Sequence, residues 1–76
     1  MNVKMIWKFR GVDAFKTAKH HLKHLKEFVA FHNIEVIEFG TEQFSEFHHI
    51  AFIVVKKDLV DSLRKQLKPH QGFLVK

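Results

Sequence analysis

A chain of 76 residues has room for one small hydrophobic core, so the sequence predicts a single domain spanning residues 1–76. Hydrophobic residues make up 46% of the chain and include nine phenylalanines, which favours a folded domain over a disordered one. The absence of cysteine excludes disulfide frameworks, iron–sulfur clusters, thiol nucleophiles and cysteine-ligated zinc. The first ten residues contain three charges and no apolar run, so we expect neither a signal peptide nor a membrane span, and a cytoplasmic location.

The formal net charge of +5 is unevenly distributed along the chain. Residues 1–33 carry a net charge of +5, residues 34–55 carry −4, and residues 56–76 carry +4. The sequence therefore predicts a polar molecule with one acidic edge between two basic flanks.

The first half of the chain predicts a strand followed by a long helix. Residues 3–10 alternate, with Trp7 and Phe9 on the buried side. Asp13 is the expected N-cap of a helix that runs to about residue 32, and Asn33 is its expected left-handed C-terminal residue. The predicted buried stripe of this helix has spacings of three and four: Phe15, Ala18, Leu22, Leu25 and Val29.

The second half of the chain predicts a hairpin, a short helix and a last strand. We expect strands at residues 34–39 and 47–56, joined by a loop at residues 40–46. Asp58 is the expected cap of the second helix, whose buried residues are Val60, Leu63 and Leu67. Pro69 and Gly72 are expected to end it, and residues 72–76 are long enough for a final strand.

The predicted element order is βαββαβ. Two βαβ units joined by a hairpin form the ferredoxin-like sandwich, an α+β fold in which two helices cover one face of a four-stranded antiparallel sheet. The expected strand order is 4-1-3-2, and the other sheet face stays open.

The open sheet face is the predicted partner-binding site. The first strand contributes Lys4, Ile6, Lys8 and Arg10, and the third strand adds Ile50, Phe52 and Val54 in one register or Ala51, Ile53 and Val55 in the other. We expect an exposed apolar strip beside basic side chains, which is typical of a docking surface. With Ile50 and Phe52 on this face, the predicted contact residues are Lys4, Ile6, Lys8, Arg10, Ile50 and Phe52.

Seven histidines raise the question of a metal site. His20, His24 and Glu27 have a spacing that lets one helix face hold an ion. On the helical wheel they lie opposite the predicted apolar stripe, so a solvated polar face is the better interpretation. No cofactor and no metal site are predicted.

Enzyme motifs are missing from the sequence. It contains no phosphate loop, no nucleophile elbow and no His-Glu-x-x-His zinc motif. We expect a non-enzymatic interaction or regulatory module that docks itself, as a homodimer, or another protein. Nucleic-acid binding through Lys4, Lys8, Arg10 and the helix lysines is the alternative, and a ligand-sensing dimer is a third possibility.

The third strand resembles that of RNA-recognition modules at Ala51-Phe52-Ile53. In this chain His48 and His49 replace the basic–glycine pair of that motif, and Val55 stands where those modules have an aromatic residue. The resemblance implies nucleic-acid contacts on the open face.

Overall fold

The computed structural model describes residues 1–75, which fold into four strands and two helices in the order βαββαβ. Lys76, which the sequence assigns to the last strand, lies outside the described residues. The elements are β1 Asn2–Arg10, α1 Ala14–Phe31, β2 Glu38–Ser45, β3 His48–Lys56, α2 Val60–Leu67 and β4 Gln71–Val75. The predicted α+β class is confirmed.

The four strands form one antiparallel sheet with the order β2-β3-β1-β4. Counted from the β4 edge, the order is β4-β1-β3-β2. The two central strands are therefore β1 and β3, while β2 and β4 are the edges. Glu38 and Glu42 lie in β2, so one edge of the sheet carries the acidic charge expected from the sequence.

The core lies between the two helices and one face of the sheet. The alternation predicted for β1 places Met5 and Trp7 in one buried cluster with Ile53 of β3. Leu25 of α1 and Leu63 of α2 belong to the same cluster, so both helices cover the same face. Each of these five side chains is at most 3% exposed, and their removal from water is the main source of stability.

The buried stripe of α1 differs from the prediction at its first residue. Ala14, Ala18, Leu25 and Val29 are buried, whereas Phe15 is 50% exposed. Starting the stripe at Ala14 turns Phe15 to the side of the helix, where its ring contacts His49 with a centroid distance of 5.2 Å.

The ends of α1 are formed mainly by the backbone. Asp13 makes no side-chain cap, which corrects the sequence prediction. Its carbonyl instead accepts hydrogen bonds from the Thr17 amide at 2.9 Å and the Thr17 hydroxyl at 3.0 Å. Asn33 has a φ of 54°, so its predicted left-handed conformation is confirmed.

The prediction for the second strand was wrong in its position. The strand spans Glu38–Ser45, and only residues 46 and 47 form the turn to β3. In the apolar segment before β2, Ile34 and Val36 pack against the core but do not join the sheet. The glycine and polar residues that predict a loop instead pair with β3, with Gly40 opposite Phe52.

The second helix has one fully buried side chain, Leu63. A single 3₁₀ turn, Lys57–Leu59, precedes α2, and Asp58 lies inside this turn without capping it. Leu63 is 1% exposed, whereas Val60 and Leu67 are half-buried. The helix ends at Leu67, and the left-handed φ of 49° at its C-cap, Lys68, reverses the chain before the predicted stop at Pro69.

None of the helices within residues 1–75 is long and apolar enough to cross a membrane.

Candidate interaction surface

The uncovered sheet face contains the predicted contact residues. The register pairs Ile6 with Phe52, Lys8 with Ile50, and Arg10 with His48. Strand side chains alternate between faces, so the side of the sheet opposite the core carries all six residues: Lys4, Ile6, Lys8, Arg10, Ile50 and Phe52. Of the two registers left open by the sequence, the structure has the one with Ile50, Phe52 and Val54 on this face.

The apolar strip on this face is less exposed than the sequence predicts. Ile6, Ile50, Phe52 and Val54 form a second cluster, and none of them is more than 7% exposed. The expectation of an exposed apolar strip is therefore wrong for these four side chains.

Two contacts hold Phe52, one of the four side chains of this strip. The ring of Phe52 lies over Gly40, so close that a Cβ built on Gly40 would be 2.5 Å from Phe52 Cζ. The Lys4 ammonium lies 4.2 Å from the centroid of the same ring and also binds the Glu42 carboxylate at 2.5 Å. Lys4 and Glu42 thus form a bridge over Phe52 from one central strand to the acidic edge.

The hairpin end of this face is basic and aromatic. The His48 ring contacts Phe44, with 5.2 Å between centroids, and its Nε2 is shielded from solvent without a hydrogen-bond partner among residues 1–75. Loss of hydration lowers the pKa of His48, and the charges of Arg10 and Lys8 lower it further. This corner therefore favours a neutral imidazole beside two cations.

The β4 edge carries the apolar exposure that the covered strip lacks. Phe73 is 49% exposed and Leu74 is 60% exposed. The strand, Gln71–Val75, contains no charged residue, unlike most unpaired edges in monomeric proteins. Sequence reasoning did not select these residues, although an uncharged segment with Gly72 at its second position was visible in the sequence.

A groove borders the same edge on the helix side of the sheet. Its volume is about 310 Å³, and it lies between β4 and α2. Gly72 forms part of its wall, with Met5, Arg64, Pro69 and Leu74 among its other lining residues. A Cβ on Gly72 would meet nothing closer than Val3 Cγ1 at 3.6 Å, so the space beside Gly72 is open.

His70 closes the sheet where β4 begins. The Lys8 amide donates a hydrogen bond of 2.8 Å to Nδ1 of His70, and the His70 amide donates one of 2.9 Å to the Ile6 carbonyl. The imidazole thus replaces a strand residue as the acceptor for β1.

The outer face of α1 is cationic. Lys16, Lys19, Lys23 and Lys26 are exposed, and none of them forms an ion pair within residues 1–75. His20 and His24 have their Nε2 atoms 2.9 Å apart, while Nδ1 of His24 is 3.9 Å from Glu27. No group of three or more side chains among the described residues is arranged to hold a metal ion.

His21 of α1 is half-buried and packs against two aromatic side chains of β1. Its ring lies 5.1 Å from that of Trp7 and 5.4 Å from that of Phe9, measured between centroids. Burial is the main factor that lowers the pKa of His21, and the neighbouring histidines lower it further: His24, His70 and His20. Its Nε2 has no partner within the described part of the chain, which adds to the cost of a charge there.

We expect the protein to lose stability as the pH falls. The pKa of His21 is 6.5 when unfolded and lower when folded, so the unfolded chain binds more protons between the two values. The stabilisation is complete above the unfolded pKa and is lost as the pH falls through the folded one. Urea denaturation should give a higher midpoint at about pH 8 than at about pH 5.

Replacing His21 by leucine should reduce this difference between the two midpoints, and His32→Leu at an exposed position is the matched control. An unchanged difference in the His21→Leu variant would contradict the assignment of the effect to His21.

Comparison of the chain with protein-family models, with curated proteins and with solved structures gave no match.

Proposed function

We propose that this protein is a non-enzymatic interaction module with a ferredoxin-like fold, which docks a second copy of itself or another protein through the uncovered side of its sheet. The observation that carries the proposal is the exposure of Phe73, on this side of an uncharged edge strand, next to Leu74, which is exposed on the other side of the same strand. Monomeric proteins usually protect such an edge with charges, and among residues 1–75 the edge strand that carries them is β2, on the opposite side of the sheet.

The uncovered face is continuous with this edge. Val75 of β4 packs against the cluster of Ile6, Ile50, Phe52 and Val54. The apolar surface of this cluster therefore extends to the β4 edge of the sheet. Lys8 and Arg10 lie at the other end of the face, next to His48, whose pKa is lowered first by loss of hydration and then by their charges. An apolar centre with a charged rim is the usual anatomy of a protein–protein interface.

The small size of the domain also favours association. A domain of about 60 to 80 residues buries only about 60% of the surface of its unfolded chain. Covering the β4 edge removes more apolar surface from water, and binding that selects the folded state stabilises it by mass action.

Sedimentation equilibrium tests the proposal. We expect the mass to rise from one chain towards two as the concentration increases from about 1 µM to about 1 mM, the range of weak and moderate dimers. Over the same range, NMR amide shifts should change in β1 and β4, with the outer face of α1 as the internal control. A mass of one chain throughout would contradict self-docking, and shift changes confined to α1 would contradict the choice of surface.

A nucleic-acid function is the second candidate, supported by the four exposed α1 lysines that lack an ion pair within residues 1–75. If these lysines contact four phosphates, the logarithm of the affinity for duplex DNA should fall with the logarithm of the salt concentration at a slope of about −3.6. Replacing all four by glutamine should abolish this dependence. Absence of binding at low salt would eliminate this candidate.

A further inference from the structure

We infer that the β4 strands of two copies pair with each other, antiparallel, about a two-fold axis at Phe73. This inference rests on the proposed self-docking and adds its register. It makes the two four-stranded sheets into one continuous sheet, with both open faces on the same side.

The hydrogen bonds around His70 show which backbone groups of β4 point away from β1. The Ile6 carbonyl and the Lys8 amide both point towards the β4 side of β1. Even-numbered residues of β1 therefore bond to β4, and their partners in the register are Gln71, Phe73 and Val75. The amides and carbonyls of the residues between them, Gly72 and Leu74, point away from the sheet.

One register uses all of these free groups. When Gly72 of each copy pairs with Leu74 of the other, each chain contributes two backbone amides and two carbonyls. All of these groups then form hydrogen bonds between the two β4 strands. Phe73 then lies directly opposite the Phe73 of the second copy as a non-hydrogen-bonded pair, in which the side chains come closest.

The side chains on the helix side fit the same register. Leu74 of one copy lies opposite Gly72 of the other, where no side chain blocks the groove of about 310 Å³. Leu74 and Gly72 thus lie two residues apart on the same edge. A two-fold axis at Phe73 places the leucine of each copy against the glycine of the other. On the open face, the two Phe73 rings cover each other, which favours pairing through aromatic contact.

Charge and symmetry favour this arrangement over the other edge pairings. Two β2 edges would bring Glu38 and Glu42 of both copies together, and their like charges would repel. Pairing of β4 with β2 of another copy leaves a free edge at each end and continues into a fibre. The β4–β4 pair is uncharged and closes at two copies.

The expected dimer is weak. A five-residue edge strand and two apolar side chains bury much less than the roughly 1,600 Å² of a standard stable interface. We therefore expect a dissociation constant of about 10 µM to about 1 mM, so that dimerisation responds to protein concentration.

Single cysteines provide a test of the register because the chain has none of its own. Directly opposite residues in a non-hydrogen-bonded pair have Cα atoms about 4.5 Å apart, within the range for a disulfide. Phe73→Cys should therefore give a disulfide-linked dimer under mild oxidation. Gln71→Cys, exposed on the same face of the same strand, is the matched control. Its two copies would lie about 13 Å apart and should not link.

Substitutions on the helix side test the contact between leucine and glycine. Leu74→Lys and Gly72→Ala should each weaken dimerisation at least tenfold, with circular dichroism and melting temperature close to those of the parent chain. Gly72→Ala is informative because the added methyl group has room in the single chain. Val12→Lys, at a position that is 83% exposed in the loop between β1 and α1, should leave dimerisation unchanged.

The outcomes separate this inference from the proposed function. Equal linking of the Phe73→Cys and Gln71→Cys chains would overturn the register. A dimer that persists in the Leu74→Lys and Gly72→Ala variants would overturn pairing through β4 but leave self-docking intact. A mass of one chain at every concentration, without cysteine linking, would overturn both this inference and self-docking.

Discussion

Replacing Trp7 by alanine is expected to lower the free energy of unfolding by about 3–5 kcal/mol. Trp7 is 3% exposed and belongs to the cluster that joins β1 to both helices. Its indole Nε1 also donates a hydrogen bond of 3.0 Å to the carbonyl of Leu67, the last residue of α2. A domain of this size has a total stability of roughly 4–11 kcal/mol, so the variant should be partly unfolded at room temperature.

Trp7→Phe is the matched control for this prediction. It retains an aromatic ring but loses the indole N–H, and the Leu67 carbonyl then has to find water. We expect a smaller loss of about 1–2 kcal/mol. Urea denaturation followed by far-ultraviolet circular dichroism measures both variants without relying on tryptophan fluorescence. Equal losses in the two variants would mean that the aromatic ring, which phenylalanine retains, contributes little through packing, contrary to the structure.

The core was predictable because its signal is local. The alternation in residues 3–10 identifies the buried side of β1, and the spacing of Ala18, Leu22, Leu25 and Val29 identifies the buried side of α1. The error at Phe15 has a physical reason. A stripe that begins at Ala14 and one that begins at Phe15 differ by one residue, and only the contacts with β3 choose between them.

The position of β2 was not predictable in the same way. Gly40 and Glu42 have low strand propensity, and they are in the sheet because β3 provides their pairing partners. Gly40 in particular is explained by Phe52, a residue 12 positions later whose ring needs the space. Tertiary contact here overrides local preference, and no pattern within residues 34–46 reports it.

The candidate surface was predicted in its composition but not in its exposure. The sequence identified the residues of the open face, yet their burial depends on contacts between strands: the Phe52 ring lies against Gly40, and Lys4 lies over that ring while it binds Glu42, 38 residues away. The exposed apolar residues of β4 were missed because exposure at an edge depends on the strand order. The five-residue sequence of β4 does not indicate by itself which side of the strand lacks a neighbouring strand.

Replacing Gly40 by alanine is expected to cost about 1–3 kcal/mol, although the site is near the surface. The new Cβ would overlap the Phe52 ring, with Cζ at 2.5 Å and Cε2 at 2.6 Å. The Phe52 ring therefore has to move. Its displacement uncovers Val54 and separates the ring from the Lys4 ammonium. Gly72→Ala, in the other edge strand, is the matched control because its Cβ meets ordinary contact distances.

A double-mutant cycle with Phe52→Leu shows whether the ring is the cause. Leucine lacks the ring atoms that meet the new Cβ, so Gly40→Ala should cost less in the Phe52→Leu background than in the parent chain. We expect a coupling energy of about 0.5–2 kcal/mol between the two sites from urea denaturation. Strictly additive losses would mean that Gly40 is required by its own backbone. Coupling would instead establish that the acidic edge and the central strand of the open face are fitted to each other through one aromatic ring.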